Sequence, residues 1–267
     1  MLNKKIAFIG GGNMAEGIIK AMIQEQACSA EQINVSDVVQ SRLDYLAEQY
    51  QLKTFTSIAE AIADVQMIFV AVRPQDAAGV FQELKQKEQN GSLVISICAG
   101  ITLAKMQSGL GDQARLARVM PNVLSDAHHG YSGICLSAEI TSEDKADLTT
   151  LFNALGKSIF IEESQFDAFT AFSCAGPAYI MECISGLIDA GVQSGFSRSA
   201  SRDMVLENFI GSGLALDQSG EHPLARVDKM TSPGGITIDG ISSLNKAGLT
   251  GILMAAVGAA LKRTKEL

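Results

Sequence analysis

Two hydrophobic patterns divide this chain. In the first part, short apolar runs alternate with segments whose apolar residues recur at helical spacing. The predicted strands are Lys5–Ile9, Gln32–Ser36, Met67–Val72, Leu93–Ile97, Arg115–Val119 and Gly133–Leu136, and the predicted helices include Gln40–Tyr50 and Gln75–Lys87. Because strand and helix candidates alternate, the pattern predicts a parallel, doubly wound α/β sheet.

The second pattern begins near Glu162, where strand signals stop and long helical patterns take over. We therefore predict a sheet domain over 1–162 and an all-α domain over 163–267. Small residues recur on the helices, as at Gly211 and Gly213, which favours close packing between helices or against a second subunit. The helices predicted in this part are Gln165–Ala190, Arg198–Asp217, Leu224–Met230, Thr237–Ala247 and Thr250–Glu266.

Composition narrows the classes of protein to consider. The 267 residues are 47% hydrophobic, which suffices for a large core. A formal net charge of −8 disfavours non-specific binding to nucleic acid. Five cysteines without a CxxC pair indicate reduced thiols, as in a cytoplasmic protein. Because no signal peptide and no apolar stretch of membrane-span length is visible, we expect a soluble protein without a membrane partner.

A glycine-rich turn follows the first predicted strand. Gly10 and Gly12 stand between this strand and a helical pattern, with Ala15 three residues further on. In this context Gly10 permits a tight turn, and Gly12 lets the backbone approach a pyrophosphate. Asp37 follows the next strand, about where an acidic residue meets an adenosine ribose. The motif predicts a dinucleotide site on a Rossmann-type domain, with a purely structural turn as the alternative.

Further cofactor-binding residues are expected at the same edge of the sheet, because ligands of doubly wound sheets lie at the carboxyl ends of the strands. Asp37 favours NADH, since a carboxylate repels a 2′-phosphate, whereas Arg42 and Ser36 offer partners for that phosphate. The cofactor-binding candidates are Gly10, Gly12, Asn13, Met14, Ser36, Asp37, Ala71, Val72, Arg73, Pro74, Ala99 and Gly100.

A second glycine-containing turn precedes a predicted helix in the all-α part. Ser232, Pro233, Gly234 and Gly235 run into a segment with apolar residues at helical spacing. A turn of this kind exposes backbone N–H groups at the positive end of a helix dipole, which suits a small carboxylate or phosphate. The alternative is an ordinary helix cap, since serine, proline and glycine all favour such positions.

Side chains for acid–base chemistry are scarce. Of three histidines, His128 and His129 are adjacent and His222 precedes a proline, so we predict no metal site. No lysine occurs between Lys157 and Lys229, where dehydrogenases of the β-hydroxyacid type carry their acid–base lysine. A dinucleotide site without such a group suggests a substrate that accepts hydride readily. A protonated cyclic imine is one, and it needs little more than orientation.

At this point the chain resembles the pyrroline-5-carboxylate reductases over essentially its whole length. The similar stretches are FIGGGNMA at 8–15, AVRPQ at 71–75, SICAGIT at 96–102, RVMPN at 118–122, AGPAY at 175–179 and TSPGGITIDG ending at 240. The resemblance implies an NAD(P)H-binding Rossmann domain followed by a helical domain that mediates dimerisation, often with further assembly. It also implies NADPH as the cofactor, with NADH as the alternative.

The resemblance further implies roles for individual residues. Ser232, Gly234, Gly235 and Thr237 would line the site for the carboxylate and the imine, with the Thr237 hydroxyl beside the imine nitrogen. Asn122 would belong to the substrate-binding residues, close to the nicotinamide.

Two departures from the family pattern are visible. Val123 and Leu124 stand where the family usually has Thr-Pro, and Cys174 and Ala175 stand where it usually has Gly-Ser. These changes leave two alternatives beside the reduction of 1-pyrroline-5-carboxylate to proline. One is a related reductase of another small cyclic imine, and the other is a catalytically weak, dinucleotide-binding regulatory protein.

Overall fold

The computed structural model describes residues 2–86, 91–122 and 129–264. These residues form an eight-stranded sheet with the order β3-β2-β1-β4-β5-β6-β7-β8. The strands are β1 Ile6–Ile9, β2 Ile33–Ser36, β3 Lys53–Phe55, β4 Met67–Val70, β5 Leu93–Ser96, β6 Leu116–Met120, β7 Gly130–Leu136 and β8 Gly156–Phe160. Neighbouring strands are parallel except β6 and β7, which run antiparallel. The predicted α/β class and Rossmann-type sheet are confirmed, and β7 and β8 run opposite to the other six strands.

The central strands are buried on both faces, which explains their continuous apolar sequences. In β1, Ile6 and Phe8 belong to one core cluster and Ala7 and Ile9 to the other. Phe8 stacks on Phe69 of β4 with ring centroids 4.5 Å apart. Each face therefore has its own apolar layer, and each layer needs helices to cover it.

Helices follow the strands in the predicted alternation and then continue alone. Their bounds are α1 Asn13–Gln24, α2 Gln40–Tyr50, α3 Ile58–Ala61, α4 Ala77–Gln86, α5 Leu103–Leu110, α6 Ser142–Asn153, α7 Phe166–Phe169, α8 Gly176–Gln193, α9 Arg198–Ser219, α10 Pro223–Met230, α11 Ile236–Lys246 and α12 Leu249–Thr264.

The long helix predicted over Gln165–Ala190 is interrupted. After α7 the chain makes a π-helical segment, Thr170–Cys174, and α8 then starts at Gly176 with Pro177 in its first turn. Proline has no N–H to donate to an earlier carbonyl, so a continuous α-helix through this position is disfavoured. The prediction of helical structure is confirmed here, but the prediction of one continuous helix is wrong.

The chain divides into two compact units, the second of which spans Ala175–Lys262. This division falls after the π-helical segment, a short way beyond the boundary predicted near Glu162. Within one chain the second unit is largely exposed, and the buried residues of α8 and α9 are Pro177, Ser201 and Val205.

Among the described residues, one helical segment meets the length and hydropathy of a membrane span. It covers Glu163–Gln193, with a mean hydropathy of 1.3 in its most apolar window, of which 11% is buried. The combined α11 and α12 also qualify, but they are bent by 45°. A helix face that packs against another subunit has the same composition, so these figures do not by themselves indicate a membrane.

Candidate active site

The carboxyl ends of β1, β2 and β4 meet around a pocket of about 320 Å³. The pocket brings together five of the predicted cofactor-binding residues, which are Gly10, Ser36, Asp37, Val72 and Arg73. The Ser36 side chain is buried, and its hydroxyl has no hydrogen-bond partner among the described residues. An unsatisfied buried hydroxyl in a pocket is a ready partner for a polar ligand.

Gly10 lies where only glycine fits. Its φ is +97°, and a Cβ added to it would come within 2.6 Å of the Ala71 carbonyl oxygen. The Gly10 N–H donates to the Ser36 carbonyl at 2.8 Å, and the Ala71 N–H donates to the Ile9 carbonyl at 2.8 Å. The three strand ends are thus bonded together around this glycine, and a side chain would force them apart.

Gly12 has a different surrounding. It is the N-cap of α1, with φ −64° and ψ 178°, and a Cβ added to it would meet no described atom within 4 Å. Because glycine has no side chain, it cannot cap the backbone N–H groups of the first turn, which begins at Asn13. Because the first turn of a helix carries unpaired N–H groups and the positive dipole end, the position suits a pyrophosphate.

Asp37 supports the glycine turn directly. Its two carboxylate oxygens accept hydrogen bonds from the N–H of Gly11 at 2.7 Å and from the N–H of Val39 at 2.9 Å. Carboxylate oxygens have further lone pairs, so the ribose role predicted for Asp37 is compatible with these bonds.

Arg42 is already engaged, contrary to its expected availability for a 2′-phosphate. Its Nε donates to the Gly11 carbonyl, and its Nη2 donates to Glu16 of α1. The sequence pattern does not reveal this pair, because it joins residues of two helices that are far apart in sequence.

The turn after β5 lies next to the turn after β4. The Cys98 thiol is buried and lies 3.1 Å from the Val72 carbonyl oxygen and 3.4 Å from that of Val70, within hydrogen-bond distance of both acceptors. Gly100 follows with φ +72°, a conformation that favours glycine. The thiol therefore links the predicted Ala71–Val72 and Ala99–Gly100 segments, although the sequence had singled out only the backbone of these turns.

A buried arginine fixes the start of α5, which comes directly after the Ala99–Gly100 turn. The guanidinium of Arg118 stacks over the Phe166 ring at 3.9 Å and donates to Glu163 at 3.0 Å. The same Glu163 oxygen accepts from the Leu103 N–H at 2.8 Å. This arrangement holds the turn against β6.

Asn122 follows β6 and is 5% exposed. Val123 and Leu124, which depart from the family pattern, lie outside the described residues, as does His128. Cys174 is close by, with its thiol 3.9 Å from the Pro121 carbonyl. Burial raises the pKa of Cys174 to about 12, so the thiol remains protonated at neutral pH. It is a packing residue in place of the usual glycine.

In the second unit, the Ser-Pro-Gly-Gly sequence forms a tight turn before α11. The Gly235 N–H donates to the Ser232 carbonyl at 3.0 Å, and Gly234 has φ +69°. Proline at the second position and a positive φ at the third define a type II turn. Gly235 is the N-cap, and a Cβ added to it would lie 2.5 Å from the Ser232 hydroxyl.

Thr237 is the second residue of α11 and is exposed. Because the N-cap is Gly235, Thr237 does not cap this helix. The N-terminus of α11 has a glycine cap, as α1 does, so its first-turn amides are also left for a ligand.

A pocket at the strand ends and a glycine-capped helix beside it are typical of a dinucleotide-binding protein, to which a separate helical unit is added here. Comparison with known sequences narrows the class. Residues 5–100 match the profile of coenzyme F420-dependent NADP oxidoreductases, and residues 163–267 match that of pyrroline-5-carboxylate reductase dimerisation. The chain belongs to the pyrroline-5-carboxylate reductase family, oxidoreductases that act on a carbon–nitrogen double bond.

Individual relatives match over their full length. The pyrroline-5-carboxylate reductase of Methanosarcina acetivorans is 34% identical over 100% of this chain and 99% of its own, and that of Synechocystis is 35% identical over 98% of both. The Coxiella burnetii enzyme superposes with a TM-score of 0.93 at 27% identity, covering 99% of this chain and 98% of its own. The Plasmodium falciparum enzyme, solved with NADP bound, gives 0.88 at 30% identity, covering 100% and 98%.

Proposed function

We propose that this chain reduces 1-pyrroline-5-carboxylate to L-proline with NADPH. The similarity to pyrroline-5-carboxylate reductases over the entire chain carries this proposal, since it includes both glycine-containing turns. The turn after β1 offers helix amides to the cofactor, and Ser36 at the end of β2 offers a hydroxyl. The turn before α11 offers helix amides to the substrate carboxylate. Bound NADPH supplies the hydride.

The chain's own task is to bind and orient the imine. The N–H groups that follow the Ser232–Gly235 turn hold the carboxylate at the positive end of α11. The Thr237 hydroxyl donates a hydrogen bond to the ring nitrogen as it becomes an amine. Asn122 contributes an amide to the substrate. Because a protonated imine carbon is already electrophilic, orientation and this one hydrogen bond suffice.

Both nicotinamide cofactors are expected to bind. Ser36 supplies an unsatisfied hydroxyl for the ribose or its phosphate, and Arg73 supplies a cation on the wall of the same pocket. Asp37 repels a 2′-phosphate, and Arg73 is itself paired with Asp76 at 2.8 Å. The similarity to an NADP oxidoreductase profile and to an enzyme solved with NADP supports the preference for NADPH, which the charges of the pocket keep modest.

We expect NADPH oxidation that depends on 1-pyrroline-5-carboxylate and exceeds the rate with other small cyclic imines. The assay compares the substrates at equal concentration and repeats the best with NADH. A faster rate with another imine would reassign the substrate, and no oxidation with any imine would leave only a binding protein. A kcat/KM for NADH more than about tenfold above that for NADPH would contradict the cofactor preference.

The helical unit is proposed to form a homodimer. Its match to the family's dimerisation region supports this, as do large apolar side chains that one chain leaves exposed, such as Leu224 at 69% and Met254 at 71%. We retain residues 163–267 as this functional domain, since the matched region begins there. We further propose a soluble cytoplasmic enzyme that needs no metal ion. The cytoplasmic location fits the five free thiols, which are Cys28, Cys98, Cys135, Cys174 and Cys183.

Sedimentation at micromolar concentration is expected to give a species of at least twice the 28.2 kDa chain mass. The apolar positions on α9 to α12 provide the driving force, because a monomer would leave them in water. A stable monomer at that concentration would contradict the proposal. Replacing Met254 by glutamate should shift the equilibrium towards the monomer, whereas the same replacement at the exposed Gln82 of the first unit should not.

A further inference from the structure

Glu16 is a partly buried carboxylate that the proposed reaction does not use. It lies in the first turns of α1 with 19% of its side chain exposed, facing α2. Three side chains of α2 donate hydrogen bonds to it. They are Arg42 through Nη2, Tyr45 at 2.9 Å and Tyr50 at 2.8 Å.

The donors keep this carboxylate charged. Burial acts to raise the pKa of Glu16, but the hydrogen bonds from Arg42, Tyr50 and Tyr45 outweigh it and hold the pKa below its ordinary value. Burial and the bond to Glu16 raise the pKa of Tyr50 to about 12, so this phenol remains a donor at neutral pH. The cluster is therefore a stable anchor for the arginine.

Arg42 connects this anchor to the glycine turn. One nitrogen of its guanidinium donates to Glu16, and another donates to the Gly11 carbonyl. The N–H of Gly11 donates to Asp37, which directly follows β2. Both peptide groups that flank the Gly11 Cα are thus fixed by charged side chains.

The planar peptide bond fixes the direction of the Gly12 N–H group once the Gly11 carbonyl is held. In a planar trans peptide the C=O and the N–H point in opposite directions. The carbonyl of Gly11 and the N–H of Gly12 belong to the same peptide. When Arg42 holds that carbonyl towards α2, the Gly12 N–H is directed away from α2, to the side where the backbone is open.

We propose that Glu16 is a positioning residue for the dinucleotide, which acts through Arg42 to orient the Gly11–Gly12 peptide towards the pyrophosphate. This inference rests on the proposed function only in that the ligand is a dinucleotide. Arg42 acts on the backbone of the turn and not on the 2′-phosphate. The effect is therefore the same for NADPH and NADH.

Calorimetric titration of the full chain with NADP⁺ and NAD⁺ tests the proposal. Glu16→Gln is expected to raise both dissociation constants at least about fivefold and by the same factor, because a charge-assisted bond is weakened. The KM for NADPH should rise similarly while kcat changes less than about twofold. Hydrogen exchange of the turn amides should quicken without any nucleotide.

Asp144→Asn is the matched control. Asp144 is buried and pairs with Arg115 at 2.7 and 2.9 Å. Arg115 lies at the amino end of β6, whereas the glycine turn lies at the carboxyl end of β1. The change should lower the melting temperature and leave both dissociation constants within about twofold. A loss of affinity in proportion to lost stability in both variants would reduce Glu16 to a structural role and overturn the proposal.

Arg42→Lys provides the second test, and it applies even if Glu16→Gln does not fold. A lysine keeps the charge opposite Glu16 but lacks the planar fork that reaches two acceptors. Its effect should match that of Glu16→Gln, and the double variant should be no weaker than either single variant. A selective gain of NADP⁺ affinity in Glu16→Gln would show that Arg42 serves the 2′-phosphate instead.

Failure of the proposed function can be distinguished from failure of the positioning role of Glu16. If the unmodified protein bound neither nucleotide, the dinucleotide function would fall. Exchange of the turn amides would still decide whether Glu16 orders the turn. An unchanged exchange rate in Glu16→Gln would then refute the positioning role as well.

Discussion

Gly10→Ala is expected to raise the dissociation constant for NADPH by at least about a hundredfold and to destabilise the fold by about 2–4 kcal/mol. The new Cβ would lie 2.6 Å from the Ala71 carbonyl oxygen and 2.9 Å from its carbon. These are backbone atoms at the end of β4, so relief requires β1 and β4 to separate at the cofactor edge. The φ of +97° adds strain for any residue with a Cβ. Calorimetric titration and thermal melting measure both effects.

Gly12→Ala separates the loss of cofactor affinity from the loss of stability. Its backbone angles suit alanine, and the added Cβ meets no described atom, so stability should change by less than about 1 kcal/mol. The methyl group would instead occupy space that the pyrophosphate needs, so affinity should still fall about tenfold or more. Normal affinity in Gly12→Ala would contradict the placement of the cofactor at this turn.

Thr237→Ala is expected to lower kcat/KM at least tenfold, equivalent to about 1.4 kcal/mol of transition-state binding. The hydroxyl that we propose as donor to the ring nitrogen is lost, and the helix keeps its cap because the N-cap is Gly235. Stability should therefore change little. Thr237→Ser should retain much of the activity, since it keeps the hydroxyl. Steady-state rates with 1-pyrroline-5-carboxylate and a melting curve distinguish these outcomes.

Thr141 offers the matched control, because it is a true threonine cap. Its hydroxyl accepts from the Asp144 N–H at 3.1 Å at the start of α6. Thr141→Ala should cost about 1 kcal/mol of stability and leave turnover unchanged. If Thr237→Ala behaved in the same way, with full turnover and a lowered melting temperature, Thr237 would have only a structural role.

The sequence predicts the sheet best where a strand is buried on both faces. β1, β4 and β5 are continuous apolar runs, and their predicted positions agree with the structure within one or two residues. β8 was missed because it alternates half-buried and exposed positions and contains Lys157 and Ser158. α6 was also missed, although Thr141 and Asp144 have the spacing of a capping box. Such polar elements are specified by tertiary contacts more than by their own pattern.

The site was predictable where it depends on backbone. Gly10 could be found because a tight turn needs a residue without a Cβ, and Gly234 because a type II turn needs a positive φ. The Glu16–Arg42 cluster could not, since a bond between side chains of two helices depends on how the helices pack. Arg42 was accordingly assigned to a phosphate, whereas its described partners are Glu16 and Gly11.

The exposure of α8 to α12 within one chain links the amount of this protein to its stability. Among the described residues, α10, α11 and α12 bury none of their side chains inside their own chain. If the partner covers these helices, mass action makes their melting temperature rise with protein concentration. Dilution would then loosen the helical unit first. A weakening substitution on this face would reduce the amount of enzyme in the cell through degradation more than its specific activity.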